Sequence, residues 1–139
     1  AFIVDYYTTA LEPDELVQDI VVPPQPADAR GTYARFLRTA AEHRPMVSVA
    51  ARVRRDGATC REARLVVGAA TPVPARLARA EACLTGRVVT PDLVAEAAEL
   101  AAADIAPLDD LRGSAAYRQA MTRVQVRRTL ASLFDLPTE

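Results

Sequence analysis

The side chains of this sequence that could do chemistry are few and scattered. Two acidic pairs, Asp14-Glu15 and Asp109-Asp110, have the spacing for general acid-base work, and His43 is the one imidazole, a group type able to act as acid, base or ligand. Two thiols, Cys60 and Cys83, could be nucleophiles or metal ligands. Each has a structural explanation beside it. Both acidic pairs stand just ahead of helical patterns, where carboxylates meet the positive end of the helix dipole, so capping outweighs catalysis. His43 lies in Glu42-His43-Arg44-Pro45, a polar turn in which an imidazole is usually solvated. The cysteines are too few and too far apart for a zinc or iron-sulfur box or a disulfide framework, and both read as reduced core thiols. No glycine-rich phosphate cradle of the GxGxxG or GxxxxGK[ST] type occurs. The residues therefore assign no catalytic set and no metal set.

Arginines supply the other polar groups, since all 17 basic residues are Arg and none is Lys. That bias lowers the information in each one. Arg112, next to Gly113 at a helix start, could hold a carboxylate bidentately and fix the loop before the last helix. Arg123 and Arg127-Arg128 lie late in that helix, where cations suit the dipole, and could pair with Asp109 or Asp110.

The elements that must position these groups follow from periodicity and turn chemistry. Val47, Val49, Ala51 and Val53 alternate with polar or small residues, Asp56-Gly57 marks a turn, and Ala63, Leu65 and Val67 alternate again, which predicts an antiparallel hairpin over residues 46–68. Its polar face carries Arg52, Arg54, Glu62 and Arg64, whose opposite charges can pair across the strands. A third strand is expected over residues 31–37, around Tyr33 and Phe36. Residues 75–85, behind Pro74 and ahead of Gly86, place Leu77, Ala80 and Leu84 on one side of a helix. Thr90-Pro91 starts a second helix with the stripe Leu93, Ala97, Leu100 and Ala101. Ser114 starts a third over about residues 114–134, with Tyr117, Met121 and Val124 on one side and Val126, Leu130 and Leu133 near the opposite side. Two accounts of that helix stay open: its end wraps the core, or its outer stripe docks another domain or subunit. Before the Pro-rich span Val22-Pro23-Pro24-Gln25-Pro26, residues 12–16 suit a short helix and residues 19–22 a strand. The result is an α+β fold, a small antiparallel sheet of three to four strands covered by a three-helix layer.

At 139 residues the chain matches one domain with one core. A formal net charge of -1 gives no field for nucleic acid or anionic lipid. No apolar run approaches the roughly 20 residues that span a bilayer, and the first residues lack a signal peptide's basic end and cleavage site. A cytoplasmic protein is expected. The start at Ala1 within an apolar run suggests a fragment or processed subunit of something larger.

Several ordered segments, taken together, resemble the C-terminal domain of the FAD-binding medium subunit of molybdenum hydroxylases, the family of carbon monoxide dehydrogenase and xanthine dehydrogenase. They are Tyr6-Tyr7-Thr8-Thr9-Ala10-Leu11 with Pro13 and Glu15; Ile20-Val21-Val22-Pro23; Gly31-Thr32-Tyr33-Ala34-Arg35-Phe36 with Arg38; Val47-Ser48-Val49; Arg64-Leu65-Val66-Val67-Gly68; residues 74–86; and Asp110-Leu111-Arg112-Gly113-Ser114 with Tyr117-Arg118 and Arg127-Arg128-Thr129-Leu130. The chain departs from the family where Glu42-His43-Arg44-Pro45-Met46 replaces a Gly-Asp-aromatic-Ala pattern before the first long strand.

The resemblance implies that residues 1–26 link a preceding FAD-binding domain to a terminal domain over residues 27–139. It implies a parent subunit whose FAD relays electrons from iron-sulfur clusters to an external acceptor, beside a molybdopterin-binding large subunit and a 2Fe-2S small subunit. The FAD would be held mainly by a region outside this sequence. By position, Met46 and Arg61, at the starts of the two long strands, would lie nearest the flavin. The competing class is a subunit-assembly module without flavin.

Overall fold

The computed structural model describes residues 1–137, so the last two residues of the expected 27–139 unit lie outside the described residues. Strands β1 (Ile3–Asp5) and β2 (Thr8–Thr9) form a small hairpin. Strands β3 (Ala29–Phe36), β4 (Val47–Asp56), β5 (Thr59–Gly68) and β6 (Ala75–Arg76) form one antiparallel sheet in that order. Helices α1 (Ala78–Leu84), α2 (Pro91–Ala103) and α3 (Ala115–Leu133) cover one face. The expected α+β architecture is what forms.

Alternation builds the sheet. Val47, Val49, Val53, Leu65 and Val67 are fully buried on its inner face. Leu77, just ahead of α1, meets them with Ala80 and Leu84 of that helix and Val126 and Leu130 of α3. α1 packs on β5, α3 on β4 and β3, and α2 bridges the other two helices. On the outer face Glu62 accepts from Arg52 (2.7 Å) and Arg64 (2.8 Å), and Arg54 pairs with Asp28, so the expected cross-strand charge pairing is present. The turn after Asp56 uses Gly57 at φ +56°, and Gly86 at φ +80° stops the chain after α1, both in the left-handed region open to glycine. Thr90 and Ser114 cap their helices by accepting from Leu93 N (3.2 Å) and Tyr117 N (3.2 Å). The chain closes where Asp135 draws together Arg30 (3.3 Å) and Arg55 (2.5 Å).

Four expectations fail. The first helix begins at Ala78, because Ala75 and Arg76 pair instead with Val67 and Val66 and Leu77 N donates to Leu65 O (3.0 Å). Residues 12–16 make one turn closed by Glu15 N to Glu12 O (3.0 Å), too short a nucleus to propagate. Residues 19–22 are exposed and form no strand, since no neighbouring strand offers them a ladder. The last helix also buries a different column from the apolar stripe named above. Arg118, Thr122, Gln125, Val126, Thr129 and Leu130 face inward, while Tyr117 is 46% exposed and leans on Phe36 with ring centroids 6.2 Å apart. The far end of the helix wraps the core, with Val126, Leu130 and Leu133 buried in it.

Candidate functional site

At the end of the sheet where β4 begins and β5 ends, the chain forms a concave surface of about 300 Å³ lined by Tyr6, Tyr7, Arg44, Pro45, Ala69, Pro72, Leu108, Asp110, Arg112 and Arg118. Tyr7 sits in the turn between β1 and β2 with φ +53°, a left-handed conformation that a bulky side chain adopts at a cost. The Tyr6 ring meets it edge-on at 4.4 Å between centroids. Arg44 donates from Nη1 to the Tyr7 hydroxyl (2.6 Å), and its guanidinium carbon lies 5.8 Å from the Tyr7 ring centroid, within cation-π range. Ala69, on the opposite wall, is also left-handed at φ +62°.

The floor is an ion pair between a buried arginine and an aspartate that is 41% exposed. Arg118 is 2% exposed; its Nη1 donates to Met46 O (2.7 Å) and Ala69 O (3.2 Å), and its Nη2 lies 2.8 and 2.9 Å from the two Asp110 carboxylate oxygens. Asp110 Oδ1 also accepts from Arg112 N (2.9 Å) and Gly113 N (3.1 Å). The Arg118 hydrogen bonds, joined by these backbone donors, hold the Asp110 carboxyl below the usual aspartate range. Arg112 in turn donates from Nη2 to Arg44 O (2.6 Å), tying the two rims together.

The structure redistributes the polar roles read from sequence. Asp109 accepts from Ala115 N (3.2 Å), as a residue at a helix start should, and Asp110 serves two backbone donors besides Arg118. Arg123 pairs with Glu99 (2.6 Å) rather than with either aspartate, because α3 runs beside α2 and carries it away from that loop. Arg112 holds a backbone carbonyl, with Glu42 at 3.7 Å, rather than a bidentate carboxylate. His43 is exposed in a bend. Cys60 is fully buried and Cys83 half-buried, and neither is in a disulfide.

Met46 is 2% exposed, and a Cβ built on Gly113 would overlap its Cε, so its side chain lies under the site against that glycine. Arg61 is exposed and pairs with Asp56 at the hairpin turn. The antiparallel hairpin puts the start of β5 opposite the end of β4, which separates Met46 from Arg61 by roughly 25 Å at about 3.3 Å per strand residue. The two residues are not brought together.

Residues 31–133 match the family model described as the CO dehydrogenase flavoprotein C-terminal domain. The chain belongs to that family. Among relatives of this flavoprotein C-terminal domain, it is 32% identical over 132 residues to the carbon monoxide dehydrogenase medium chain of Hydrogenophaga pseudoflava, covering 93% of this chain and 45% of the relative. It is 29% identical over 124 residues to the nicotine 6-hydroxylase medium subunit of Paenarthrobacter nicotinovorans, covering 89% and 43%. The chain thus spans under half the length of the curated relatives it matches. Its fold superposes with TM-score 0.89 and 31% identity on a carbon monoxide dehydrogenase chain from Hydrogenophaga pseudoflava, over 96% of this chain and 46% of that one. A quinoline 2-oxidoreductase chain from Pseudomonas putida 86 gives 0.84 and 26%, over 96% and 46%. Sequence reading named Arg118 only within the family segment Tyr117-Arg118 and gave it no role at the site. Its signal was its place at the head of the column Arg118, Thr122, Gln125, Val126, Thr129, Leu130, which keeps helical spacing although its first members are polar.

Proposed function

We propose that this chain is the terminal domain of a flavin-carrying medium subunit in a molybdenum hydroxylase-type oxidoreductase, and that its concave surface at the Met46 end faces the flavin. In this reading the partners are a molybdopterin-binding large subunit, a 2Fe-2S small subunit and a preceding FAD domain, to which residues 1–26 are the link. The observation that carries it is the agreement of nearly the whole chain with a carbon monoxide dehydrogenase chain at TM-score 0.89.

The residues at the site fit part of the cofactor. Tyr6, Tyr7 and Arg44 offer aromatic faces and a cation to a planar ring. A surface of about 300 Å³ has room for one edge of a ring system but not for a dinucleotide. FAD, when bound, supplies the electron-relay chemistry, and this chain's residues wall one side of the ring and keep water from it. Met46 supports that wall from beneath, and Arg61, at the far end of the hairpin, has no part in it. The link reading draws support from the exposed Phe2, Ile3, Leu16, Ile20, Val21 and Val22, apolar side chains that a neighbouring domain would cover.

The same exposed residues favour a second reading, an assembly module that joins subunits without flavin. Purification from the native source separates the two. A longer polypeptide with flavin absorption and copurifying molybdenum and iron-sulfur subunits supports the flavoprotein; a colourless protein with those partners supports the module. Within the flavoprotein, Met46→Asp puts a carboxylate beneath the wall without a partner. The flavin-to-protein ratio should fall while helical circular dichroism persists, and an unchanged ratio removes Met46 from the site.

A further inference from the structure

Arg118 is the largest fully buried side chain of the described residues, and burying a guanidinium is an expensive way to fill a core. Its carboxylate partner Asp110 is 41% exposed, so water screens the pair and the attraction itself adds little stability. Here the ion is spent on geometry. One guanidinium reaches three separate segments: Met46 at the head of β4, Ala69 after β5, and Asp110 before α3. It reaches the 44–46 segment twice, directly through Met46 O and indirectly through Asp110, whose Oδ1 orders the Arg112 backbone while Arg112 Nη2 grips Arg44 O. The same guanidinium holds Ala69, whose left-handed backbone is strained for a residue with a side chain and persists only where its surroundings insist on it. Its Nε finds no acceptor among the described residues, so the donors in use are those aimed at the rims of the site.

We infer that Arg118 is a positioning residue that sets the Arg44–Met46 rim against the Asp110–Gly113 rim and so fixes the shape presented to the flavin. The inference rests on the flavin-facing reading proposed above. Lysine cannot replace it, because a compact ammonium on a flexible stem cannot span the Asp110 carboxylate and two carbonyls in fixed directions.

The test uses the full-length flavoprotein with Arg118→Lys, Arg112→Ala and Arg44→Ala. The readouts are the visible circular dichroism of the bound flavin, the Kd for FAD and the thermal midpoint. Arg118→Lys should alter the flavin dichroism and weaken FAD retention on the order of tenfold, the scale seen when a support behind a direct contact is lost. Arg112→Ala, a partly exposed change that cuts only the indirect route, should move both signals in the same direction by less. If Arg118→Lys lowers the melting temperature but leaves dichroism and Kd at wild-type values, its role is structural and the inference falls. If that variant does not fold, Arg112→Ala decides, and wild-type flavin signals in it overturn the inference. Arg44→Ala separates the two levels of argument. A response to it without one from Arg118 or Arg112 overturns the positioning role alone, whereas no response from any variant overturns the flavin placement and this inference with it.

Discussion

Replacing Gly113 with alanine pushes a methyl group into space held by the methyl tip of Met46. The backbone of Gly113 is not left-handed, so alanine suits it and the collision is isolated from conformational strain. Met46 cannot retreat as a whole: its amide donates to Phe36 O (2.8 Å), its carbonyl accepts from Arg118 (2.7 Å), and it is 2% exposed. Only its side chain can swing, and methionine is adaptable. The cost should fall in the lower part of the overpacking range, about 1–2 kcal/mol. At about 4 °C per kcal/mol for a chain of this size, the midpoint should drop by roughly 4–8 °C. Met46→Ala alone should cost about 2–5 kcal/mol through the cavity it leaves. In the double variant the alanine methyl at 113 enters that cavity, so the pair should be more stable than the sum of the singles by about 1 kcal/mol. Urea unfolding of the chain, followed by tyrosine fluorescence and far-ultraviolet circular dichroism in parallel, measures all four corners of the cycle. Additivity within about 0.3 kcal/mol, or a cost of Gly113→Ala below about 0.5 kcal/mol, would refute the packing described for Met46.

Two further outcomes are expected. Burial acts to raise the Glu81 carboxyl, but the ion pair with Arg76 and the Leu65 N–H (2.8 Å) outweigh it and hold it below the ordinary glutamate value. Its contribution to stability is therefore complete above about pH 4.5, the ordinary value, and is lost as pH falls through the depressed folded value. Glu81→Gln, which keeps an acceptor for Leu65 N–H, should cost about 1 kcal/mol or less at neutral pH and flatten the acid limb of the stability curve; an acid limb as steep as wild type would contradict this. Burial pushes the Cys60 thiol up to about 11, so at pH 8 an aromatic disulfide reagent should modify Cys60 only as fast as the chain opens, with half-buried Cys83 reacting first. Rapid reaction of both thiols in the native protein would show that Cys60 is not enclosed.

Local chemistry was the readable part of this fold. Asp56-Gly57 between two alternating runs, Thr90-Pro91 and Ser114 each act within a few residues of themselves, and each is where its residue type said it would be. What escaped depends on partners remote in sequence. Ala75 and Arg76 are good helix formers drawn into β6 because β5 offers them a ladder, and residues 19–22 have strand composition without a strand beside them. The concave site was hidden for a related reason. It joins Tyr7, Arg44, Ala69, Asp110 and Arg118, five positions spread over the chain, and part of the joining is by hydrogen bonds to carbonyls that no side-chain pattern reveals. In α3 the apolar stripe and the buried column differ because Arg118 and Thr122 are buried by their bonds rather than by their hydrophobicity: Thr122 donates to Arg118 O (2.9 Å).

The clasp in which Asp135 receives both Arg30 and Arg55 gives the family unit a property of its own. It places the residues just before and just after the matched span, 31–133, within one side chain's reach of each other. A body whose ends meet at one point on its surface can be set into another protein at a single loop without stretching either molecule. By the same geometry its own ends could be joined by a short linker and new ones opened elsewhere. In such a rejoined chain the sheet and helices between the two ends would keep their arrangement, because neither end would have to move far to meet the other.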